Sequence, residues 1–446
     1  MVNYRNTFRC FLVFLFGCIL AVALAEIFVR LFPGRFMQYG DYWARYSYGY
    51  DPDIGYINES NQKAFVGSDC YFIYPVYTNS SGFRDREWLN KPEFKIALLG
   101  DSYVAAIENP EDASPSDIME KILNKRVFNA GVGGHGTISE LIVYRKFLRP
   151  LKPDLVILYF LGSNDLSDNS CDYTKEVGGV TDCKPCANLV NGRLEINTQF
   201  DNSISMKQPV LSPKNIRRLI KQTCYSCNVL HRFVYNKLIL EREMSQQRKK
   251  MLMTYYKFFQ PAKDKIWEDA WEITEATLVD LKKEIEKDGG KLIVVGFIDA
   301  SRFKQDWLFE YKKVLGLNQL PDGFDADNPF LRLREIMQRQ GINYLELEPY
   351  FIKYRNKFNL SRPYFSYWCD NHWSPLGQFI ATNIVARYLI EHDLIPLSSR
   401  ERSGLLRKIE YNLNLSPEEI LGKEGYRQIY RRGFYRGSSN IDKILQ

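Results

Sequence analysis

Histidine is scarce in this chain, which has only four in 446 residues. The sequence also contains no zinc-finger pattern, no RNA-binding signature and no long run of lysine or arginine. Because the net charge of +7 is spread along the chain, we do not expect nucleic acid as a partner. Such a mild basic excess is more compatible with anionic membranes or acidic glycans. There is no internal repeat, and the apolar content of 45% is ordinary, so we expect one large core with appended segments.

Long apolar runs are absent except at the N-terminus. Residues 10–25 are apolar throughout, and apolar residues continue to Phe32. Arg5 and Arg9 precede this run, which predicts that the amino end stays in the cytoplasm and that the rest is exported. We favour a retained membrane anchor, because the apolar character continues past a candidate cleavage site at Ala23-Leu24-Ala25. A cleaved signal peptide is the alternative.

The cysteines are compatible with an exported protein. Two of the nine lie in the apolar run, and the other seven are Cys70, Cys171, Cys183, Cys186, Cys224, Cys227 and Cys369. Disulfides are expected outside the cytosol, whereas the Cys-x-x-Cys pairs at 183–186 and 224–227 also fit a four-thiolate zinc site. We favour disulfides, since the gap between the two pairs is longer than in a compact zinc ribbon. An odd number of thiols predicts one that is free or paired with another chain.

Strands alternate with helices in two parts of the chain, before about residue 165 and after about residue 264. Buried strands are predicted at 94–99, 127–128, 155–160 and 291–296, and helices at 137–148, 267–287, 331–340 and 376–390. Ser114-Pro115 and Ser416-Pro417 are typical helix starts. Alternating strands and helices indicate βαβ units. The predicted fold is therefore an α/β three-layer sandwich with a mostly parallel sheet.

Small and polar residues follow three of the predicted strands. Gly100-Asp101-Ser102 ends the first, 129–134 follows the second, and Gly162-Ser163-Asn164-Asp165 ends the third. Asp370-Asn371-His372 precedes a later helix. Because open α/β sheets bind ligands beyond the carboxyl ends of their strands, these segments are expected to meet at one site.

Together these residues supply what acyl transfer through serine requires. Ser102 is the candidate nucleophile, His372 the candidate general base, and Asp370 the candidate acid that orients the base. The oxyanion donors would be the backbone amides of Ser102 and Gly134 and the side-chain amide of Asn164. Each residue also has a structural alternative: a helix start for Ser102, a turn for Gly134 and a helix cap for Asn164. The remaining histidines are expected to be structural or exposed: His135, His231 and His392.

The combination resembles the SGNH hydrolase superfamily, also called GDSL esterases. Its four signature residues correspond to Ser102, Gly134, Asn164 and His372, and the resemblance covers about 90–170 and 290–395. It implies a flavodoxin-like sheet, a Ser-His-Asp acyl-enzyme mechanism and no metal or organic cofactor. Weaker similarity at 50–56 and 78–85 resembles the lead-in of membrane-anchored bacterial members.

One departure from the superfamily concerns the acid. Most members have aspartate three residues before the histidine, whereas Asp370 precedes His372 by two. The shorter Asp-x-His-Trp form resembles members that act on acylated exopolysaccharides, including acetyltransferases. The resemblance therefore implies O-acyl esters, above all O-acetyl, on cell-envelope or extracellular glycans or lipids. We expect a hydrolase, with an O-acyltransferase or a non-catalytic binding protein on the same fold as alternatives.

These patterns divide the chain into six predicted segments. They are an N-terminal membrane anchor or signal segment (1–34), an aromatic lead-in (35–90), the first part of the hydrolase domain (91–165), a cysteine-bearing insertion (166–263), the second part of the hydrolase domain (264–399) and a basic helical tail (400–446).

Overall fold

The computed structural model describes most of the chain. The described residues are 4–31, 46–66, 74–88, 94–162, 164–176, 183–200, 259, 265–298, 302, 307–315, 317–320, 322–360, 365–367, 372–432 and 439–446. Several predictions fall outside them: those for Asp370, His231 and Cys224 and Cys227, and the predicted helical part of the insertion, 216–259, apart from its last residue.

Eleven strands are present in the described part of the chain. They are β1 (Tyr48–Asp51), β2 (Gly55–Asn58), β3 (Lys63–Val66), β4 (Tyr74–Tyr77), β5 (Lys95–Gly100), β6 (Arg126–Gly131), β7 (Leu155–Leu161), β8 (Cys186–Val190), β9 (Arg193–Asn197), β10 (Lys291–Phe297) and β11 (Asn343–Glu346).

The described helices are distributed over the whole chain. They are α1 (Tyr4–Leu31), α2 (Ser102–Ala105), α3 (Pro115–Leu123), α4 (Thr137–Val143), α5 (Asp165–Asn169), α6 (Cys171–Glu176), α7 (Lys265–Lys287), α8 (Trp307–Leu315), α9 (Asn328–Gln340), α10 (Glu348–Lys357), α11 (Pro375–Glu391), α12 (Ser399–Asn414), α13 (Pro417–Arg432) and α14 (Ile441–Leu445). A π-helical turn, Tyr144–Leu148, continues α4, and short 3₁₀ turns follow at Arg149–Leu151 and precede α3 at Glu111–Ala113.

The central sheet has five parallel strands in the order β6-β5-β7-β10-β11. The four strands predicted from apolar runs are all present, and β7 is buried at every position. The fifth, β11, was missed, because it has four residues of which only Leu345 is fully buried. The strand order is that of a flavodoxin-like sheet, so the predicted α/β fold class is confirmed.

The sheet has helices on both faces. Successive side chains of β5 point to opposite sides: Ile96 and Leu98 belong to one apolar cluster, and Ala97 and Leu99 to the other. The first cluster packs against α3 and α11, and the second against α4, α7 and α9. This arrangement is the predicted three-layer sandwich, and its core lies in two layers on either side of the sheet.

The predicted helix starts are present. The Ser114 hydroxyl caps α3 by accepting a hydrogen bond from the Asp117 amide. Ser416 and Glu419 form a reciprocal cap on α13, in which each side chain accepts from the backbone amide of the other residue. The long helix α7 ends two residues before Gly289, whose φ of +91° lies in the left-handed region.

The lead-in consists of two antiparallel hairpins, β1–β2 and β3–β4. The first hairpin turns at Asp51, whose carboxylate accepts hydrogen bonds from the amides of Asp53 and Ile54. Gly55 follows with a φ of +85°, and a Cβ there would collide with the carbonyl of Cys183. The first hairpin is therefore packed closely against the start of the insertion.

Within the described part of the insertion, Cys171 and Cys186 form a disulfide. The bond joins the start of α6 to the start of the β8–β9 hairpin, which packs on α7. Disulfides were favoured over zinc, and this bond removes Cys186 from the alternative four-thiolate site.

The C-terminal helices α12, α13 and α14 pack on the domain rather than extend from it. Ile409, Ile441 and Leu445 are buried in the same apolar cluster as α3 and α11. The Asn412 side chain donates to the Asn383 side chain at 2.9 Å, which joins α12 to α11. The helical C-terminal region is thus confirmed as part of the fold.

At the other end of the chain, α1 is long and apolar enough to cross a membrane. The residues Phe11–Phe28 have a mean hydropathy of 2.7, and none of them is buried by the described part of the protein. A membrane anchor and a signal sequence both have this character.

Candidate active site

The predicted site residues meet at one edge of the sheet. Ser102 follows β5, Gly134 lies in the loop after β6, and Asn164 follows β7. Strands β6 and β7 lie on opposite sides of β5, so the connections diverge there and leave a crevice beyond the strand ends. Such a switch point is where open α/β sheets bind ligands.

The nucleophile and base predicted from the sequence are in direct contact. Ser102 Oγ and His372 Nε2 are 2.7 Å apart, although 270 residues separate them in the chain. Ser102 is the first residue of α2, but the cap of that helix is Asp101, whose carboxylate accepts from the Tyr103 amide at 2.9 Å. The serine hydroxyl is therefore engaged with the imidazole and not with the helix.

Aromatic packing and backbone bonds position the His372 ring. The Tyr103 ring lies beside it at 5.3 Å between centroids, and the His372 carbonyl accepts from the Tyr367 amide at 3.0 Å. The next residue, Trp373, is fully buried against Tyr103 and Phe297. Because these contacts fix the loop on both sides of the histidine, Nε2 faces the serine while the Nδ1 edge faces inward.

Glu108 lies at that inner edge of the imidazole and was not found by sequence reasoning. Its Oε1 is 3.6 Å from His372 Nδ1, and the side chain is 1% exposed. No motif marks this residue, which follows Ser102 by six positions in an irregular loop. Asp370, the acid predicted from the sequence, lies outside the described residues, so its role stays a prediction.

Gly134 has the backbone that the predicted oxyanion position requires. Its φ is +78°, and a Cβ there would lie 2.6 Å from the Tyr56 hydroxyl oxygen. The Tyr56 hydroxyl donates to the carbonyl of Gly133 at 3.0 Å, and Lys184 Nζ donates to the carbonyl of Gly134 at 3.0 Å. Sequence reasoning missed both Tyr56 and Lys184, because they come from the lead-in and the insertion.

The Asn164 side chain lies next to the nucleophile. Its Nδ2 donates to Asp101 Oδ2 at 3.1 Å, which uses one of the two amide hydrogens. Asn164 occupies the cap position of α5, yet its side chain makes no capping hydrogen bond. The helix-cap alternative therefore does not describe this side chain, and a second amide hydrogen remains for a ligand.

Four carboxyl groups lie close together near the site: Asp101, Glu140 and Asp165 are buried, and Asp168 is 14% exposed. Burial raises the pKa of Glu140 and of Asp165 well above their usual values. The charges of Asp101 and Asp168 add to this effect at both groups, and that of Glu140 adds to it at Asp165. Burial also raises the pKa of Asp168. The ion pair of 2.7 Å with Lys184 opposes this rise. The raised pKa values and the ammonium of Lys184 both act to reduce the negative charge at this edge of the sheet.

His135 flanks Gly134 but is placed as a structural residue, as expected. Its ring is 1% exposed, and Nε2 is 3.0 Å from the Tyr56 carbonyl oxygen. Burial lowers the pKa of His135 to about 3, so the ring stays neutral at physiological pH.

A row of aromatic rings from the lead-in, continued by His135 of the loop after β6, forms one wall of the site. Tyr46, Tyr48, Tyr56 and His135 follow one another edge to face, with centroids 5.2 to 5.6 Å apart. The Tyr48 hydroxyl and Ser102 Cβ both lie within 3.7 Å of the position that a Cβ on Gly133 would occupy. Burial raises the pKa of Tyr48 to about 12, and the charge of Glu108 adds to this, so the hydroxyl keeps its proton.

The chain matches no protein-family model and no curated protein. Among solved structures it is similar to the lipase/acylhydrolase from Enterococcus faecalis, at 14% identity over 68% of this chain and 99% of the other, with a TM-score of 0.30. It is also similar to an acetylxylan esterase from Geobacillus stearothermophilus, at 11% identity over 67% of this chain and 94% of the other, with a TM-score of 0.31. These likenesses are too distant to carry an argument about the reaction, which depends on the side chains of the site.

Proposed function

We propose that this protein is a serine esterase that hydrolyses O-acyl esters. The observation that carries the proposal is the contact of 2.7 Å between Ser102 Oγ and His372 Nε2 at the switch point of the sheet. A serine hydroxyl bonded to an imidazole is the arrangement that activates serine as a nucleophile. The neighbouring Gly134 and Asn164 supply the kinds of donor that an oxyanion requires.

In the first half-reaction, Ser102 Oγ attacks the ester carbonyl carbon while its proton passes to His372 Nε2. The carbonyl oxygen becomes an oxyanion, which the backbone amides of Ser102 and Gly134 and the Asn164 side chain hold. When this tetrahedral intermediate collapses, the bond to the alkoxy group breaks and His372 gives its proton to the departing alcohol. The acyl group is then bonded to Ser102.

In the second half-reaction, water replaces the alcohol. His372 Nε2 takes a proton from the water as its oxygen attacks the acyl carbon, and the same donors hold the second oxyanion. Collapse breaks the bond to Ser102 Oγ, which recovers its proton from the histidine. The products are a carboxylic acid and the free enzyme, so one water is consumed for each ester.

For the substrate, we propose O-acetyl or longer O-acyl groups on cell-envelope or extracellular glycans or lipids. The apolar helix α1 supports a site held at a membrane, with the catalytic domain on the exported side. The aromatic wall of Tyr48 and Tyr56 supports a ring-shaped substrate, because sugar rings pack well against aromatic faces. No nucleic acid has a part in this proposal.

The test is release of carboxylic acid from an ester by the purified full-length protein in detergent. We expect acetate to appear from an O-acetylated polysaccharide and from p-nitrophenyl acetate, and Ser102→Ala to abolish both. Ser403→Ala is a matched control, because Ser403 is exposed on α12 and its hydroxyl donates to the Ser399 carbonyl, away from the predicted site residues. Failure of the folded wild type on every ester tried would contradict the proposal.

An O-acyltransferase is the second candidate, because the Asp370-x-His372-Trp373 spacing resembles that of exopolysaccharide-modifying enzymes. It would use the same first half-reaction and pass the acyl group to a sugar hydroxyl in place of water. The two are separated by supplying an acyl donor with and without an unacetylated oligosaccharide. A transfer product formed in preference to free acetate would favour the transferase.

A further inference from the structure

We propose that Glu108 is a positioning residue that holds the Nδ1 edge of His372 and thereby aims Nε2 at Ser102. The inference deepens the proposed function and rests on it, since it assigns the acid that orients the catalytic base. It differs from the sequence expectation, which gave this role to Asp370 alone.

The geometry is that of an acid facing an imidazole. Glu108 Oε1 is 3.6 Å from Nδ1, and Ser102 Oγ is 2.7 Å from Nε2, so the two groups lie against opposite nitrogens of the His372 ring. The distance to Nδ1 exceeds a hydrogen bond, but catalytic contacts are often long without substrate. A carboxylate there favours the proton on Nδ1 and leaves Nε2 free to accept the serine proton.

The loop that carries Glu108 is fixed from the lead-in side by Arg84. This buried guanidinium donates to the carbonyls of Ala105 at 3.2 Å and Asn109 at 2.8 Å, and also to that of Ala106. Ala106 has a φ of +47°, a left-handed conformation that is unfavourable for a non-glycine residue. Three hydrogen bonds from one side chain stabilise this bend, which turns Glu108 back toward the site.

The same loop is bonded directly to the loop of the catalytic histidine. The Tyr367 hydroxyl shares its one proton between the Glu108 carbonyl at 3.1 Å and Asn109 Oδ1 at 2.9 Å. The Asn109 side chain donates to the Trp373 carbonyl at 2.8 Å, one residue after the histidine. These bonds fix Glu108 and His372 relative to each other, as a positioning role requires.

Other charged and titratable groups also face His372. Asp101 approaches from the end of β5, and the negative charge there interacts with the imidazole. Tyr103 lies beside the ring, and the Tyr48 hydroxyl is in the field of Glu108. Asp370 precedes the histidine by two residues in the sequence. A test must therefore separate Glu108 from Asp370 in particular.

The test is NMR of the histidine side chains in the full-length protein, with ¹⁵N-histidine and detergent micelles. With only four histidines, the His372 signal is assigned from its loss in His372→Ala. We expect the neutral ring to carry its proton on Nδ1, and Glu108→Gln to lower the pKa of His372 by about 1 unit or more, since a nearby carboxylate favours the imidazolium. Glu410→Gln, an exposed change on α12 far from the loop, should leave it unchanged.

Two further variants keep the inference testable if Glu108→Gln does not fold. Asp370→Asn should keep the Nδ1 proton, because Glu108 still faces that nitrogen, and Glu108→Asp should lower the esterase rate less than Glu108→Gln does. The acid limb of the kcat/KM profile should move to lower pH in Glu108→Gln. Loss of the Nδ1 proton in Asp370→Asn, or an unchanged His372 pKa in Glu108→Gln, would overturn the inference. These NMR results are obtained even from an inactive protein, so they are independent of failure of the proposed esterase.

Discussion

Lys184 Nζ donates a hydrogen bond of 3.0 Å to the carbonyl oxygen of Gly134. The same ammonium forms an ion pair of 2.7 Å with Asp168, and both side chains of the pair are about 85% covered. A residue of the cysteine-bearing insertion therefore fixes the loop that presents the predicted oxyanion amide. The insertion is in this way a part of the site and not only an appendage.

Lys184→Met is expected to lower the rate of acyl-enzyme formation roughly tenfold, a loss smaller than that for removal of a whole oxyanion donor. The reason is that the Gly134 carbonyl loses its donor and the loop is less well aligned. The rate is measured by stopped-flow with p-nitrophenyl acetate. Lys175→Met is the matched control, since its ion pair with Asp172 is 63% exposed on both sides and should contribute little. A wild-type rate in Lys184→Met would show that this contact does not align the loop.

Removal of the Cys171–Cys186 disulfide is expected to destabilise the protein. Its sequence separation of 15 predicts about 3 kcal/mol from the loop-closure entropy of the unfolded chain. The measurement is thermal or urea unfolding of the double variant Cys171→Ala/Cys186→Ala. Mass mapping of the unreduced wild type provides the check: a peptide pair joined through these two cysteines is expected, and Cys186 joined to any other cysteine would contradict this assignment.

Asn164→Ala is expected to lower kcat by about 100- to 1000-fold while KM changes little. The reason is that the Asn164 amide hydrogen acts on the oxyanion, which exists only after the ester has been attacked. Steady-state kinetics with p-nitrophenyl acetate measures both constants. Asn197→Ala, an exposed change at the end of β9, serves as control. An effect confined to KM would mean that Asn164 binds the substrate and does not stabilise the oxyanion.

Glu140→Gln is expected to stabilise the protein more at pH 8 than at pH 5. Burial raises the pKa of Glu140 in the folded protein above its unfolded value, and the charges of Asp101 and Asp168 add to this. The folded state then holds more protons than the unfolded state between these two pKa values. The free energy of unfolding of the wild type therefore falls there as pH rises, by up to about 1.4 kcal/mol per pH unit, and Gln removes this loss.

Glu284→Gln is the matched comparison with the opposite sign. Burial alone would raise the pKa of Glu284, but hydrogen bonds and charge from Arg145 and Arg149 outweigh it and lower the pKa. Its stabilising contribution is present above the unfolded pKa and is lost as pH falls through the folded pKa. At pH 8, thermal unfolding should therefore show Glu140→Gln to be more stable than the wild type and Glu284→Gln to be less stable. A loss of stability at pH 8 in both variants would contradict the account of Glu140.

Much of the fold follows from local sequence features. The apolar runs of β5, β7 and β10 are long enough to identify buried strands, and the polar residues just after β5 and β7 mark the switch point. The contact between Ser102 and His372 could be anticipated because of the order of the motifs and their placement at successive strand ends. The strand β11 was missed, since four residues with one buried apolar side chain give too weak a pattern.

The supporting residues of the site could not be found in this way. Tyr56 bonds to Gly133 across 77 positions and Lys184 to Gly134 across 50, so neither contact leaves a local pattern. Glu108 is close to Ser102 in the chain, but only the bend at Ala106 turns it toward His372. Such contacts depend on how distant loops pack, which spacing alone does not encode.

The central claim is that Ser102 is an activated nucleophile, and labelling with a fluorophosphonate probe tests it most directly. The full-length protein in detergent is treated with the probe, and the modified residue is located by peptide mass mapping. We expect one adduct on Ser102, absent in Ser102→Ala and strongly reduced in His372→Ala, with all three proteins folded by circular dichroism. A folded wild type without an adduct, or with one on a different residue, would contradict the account.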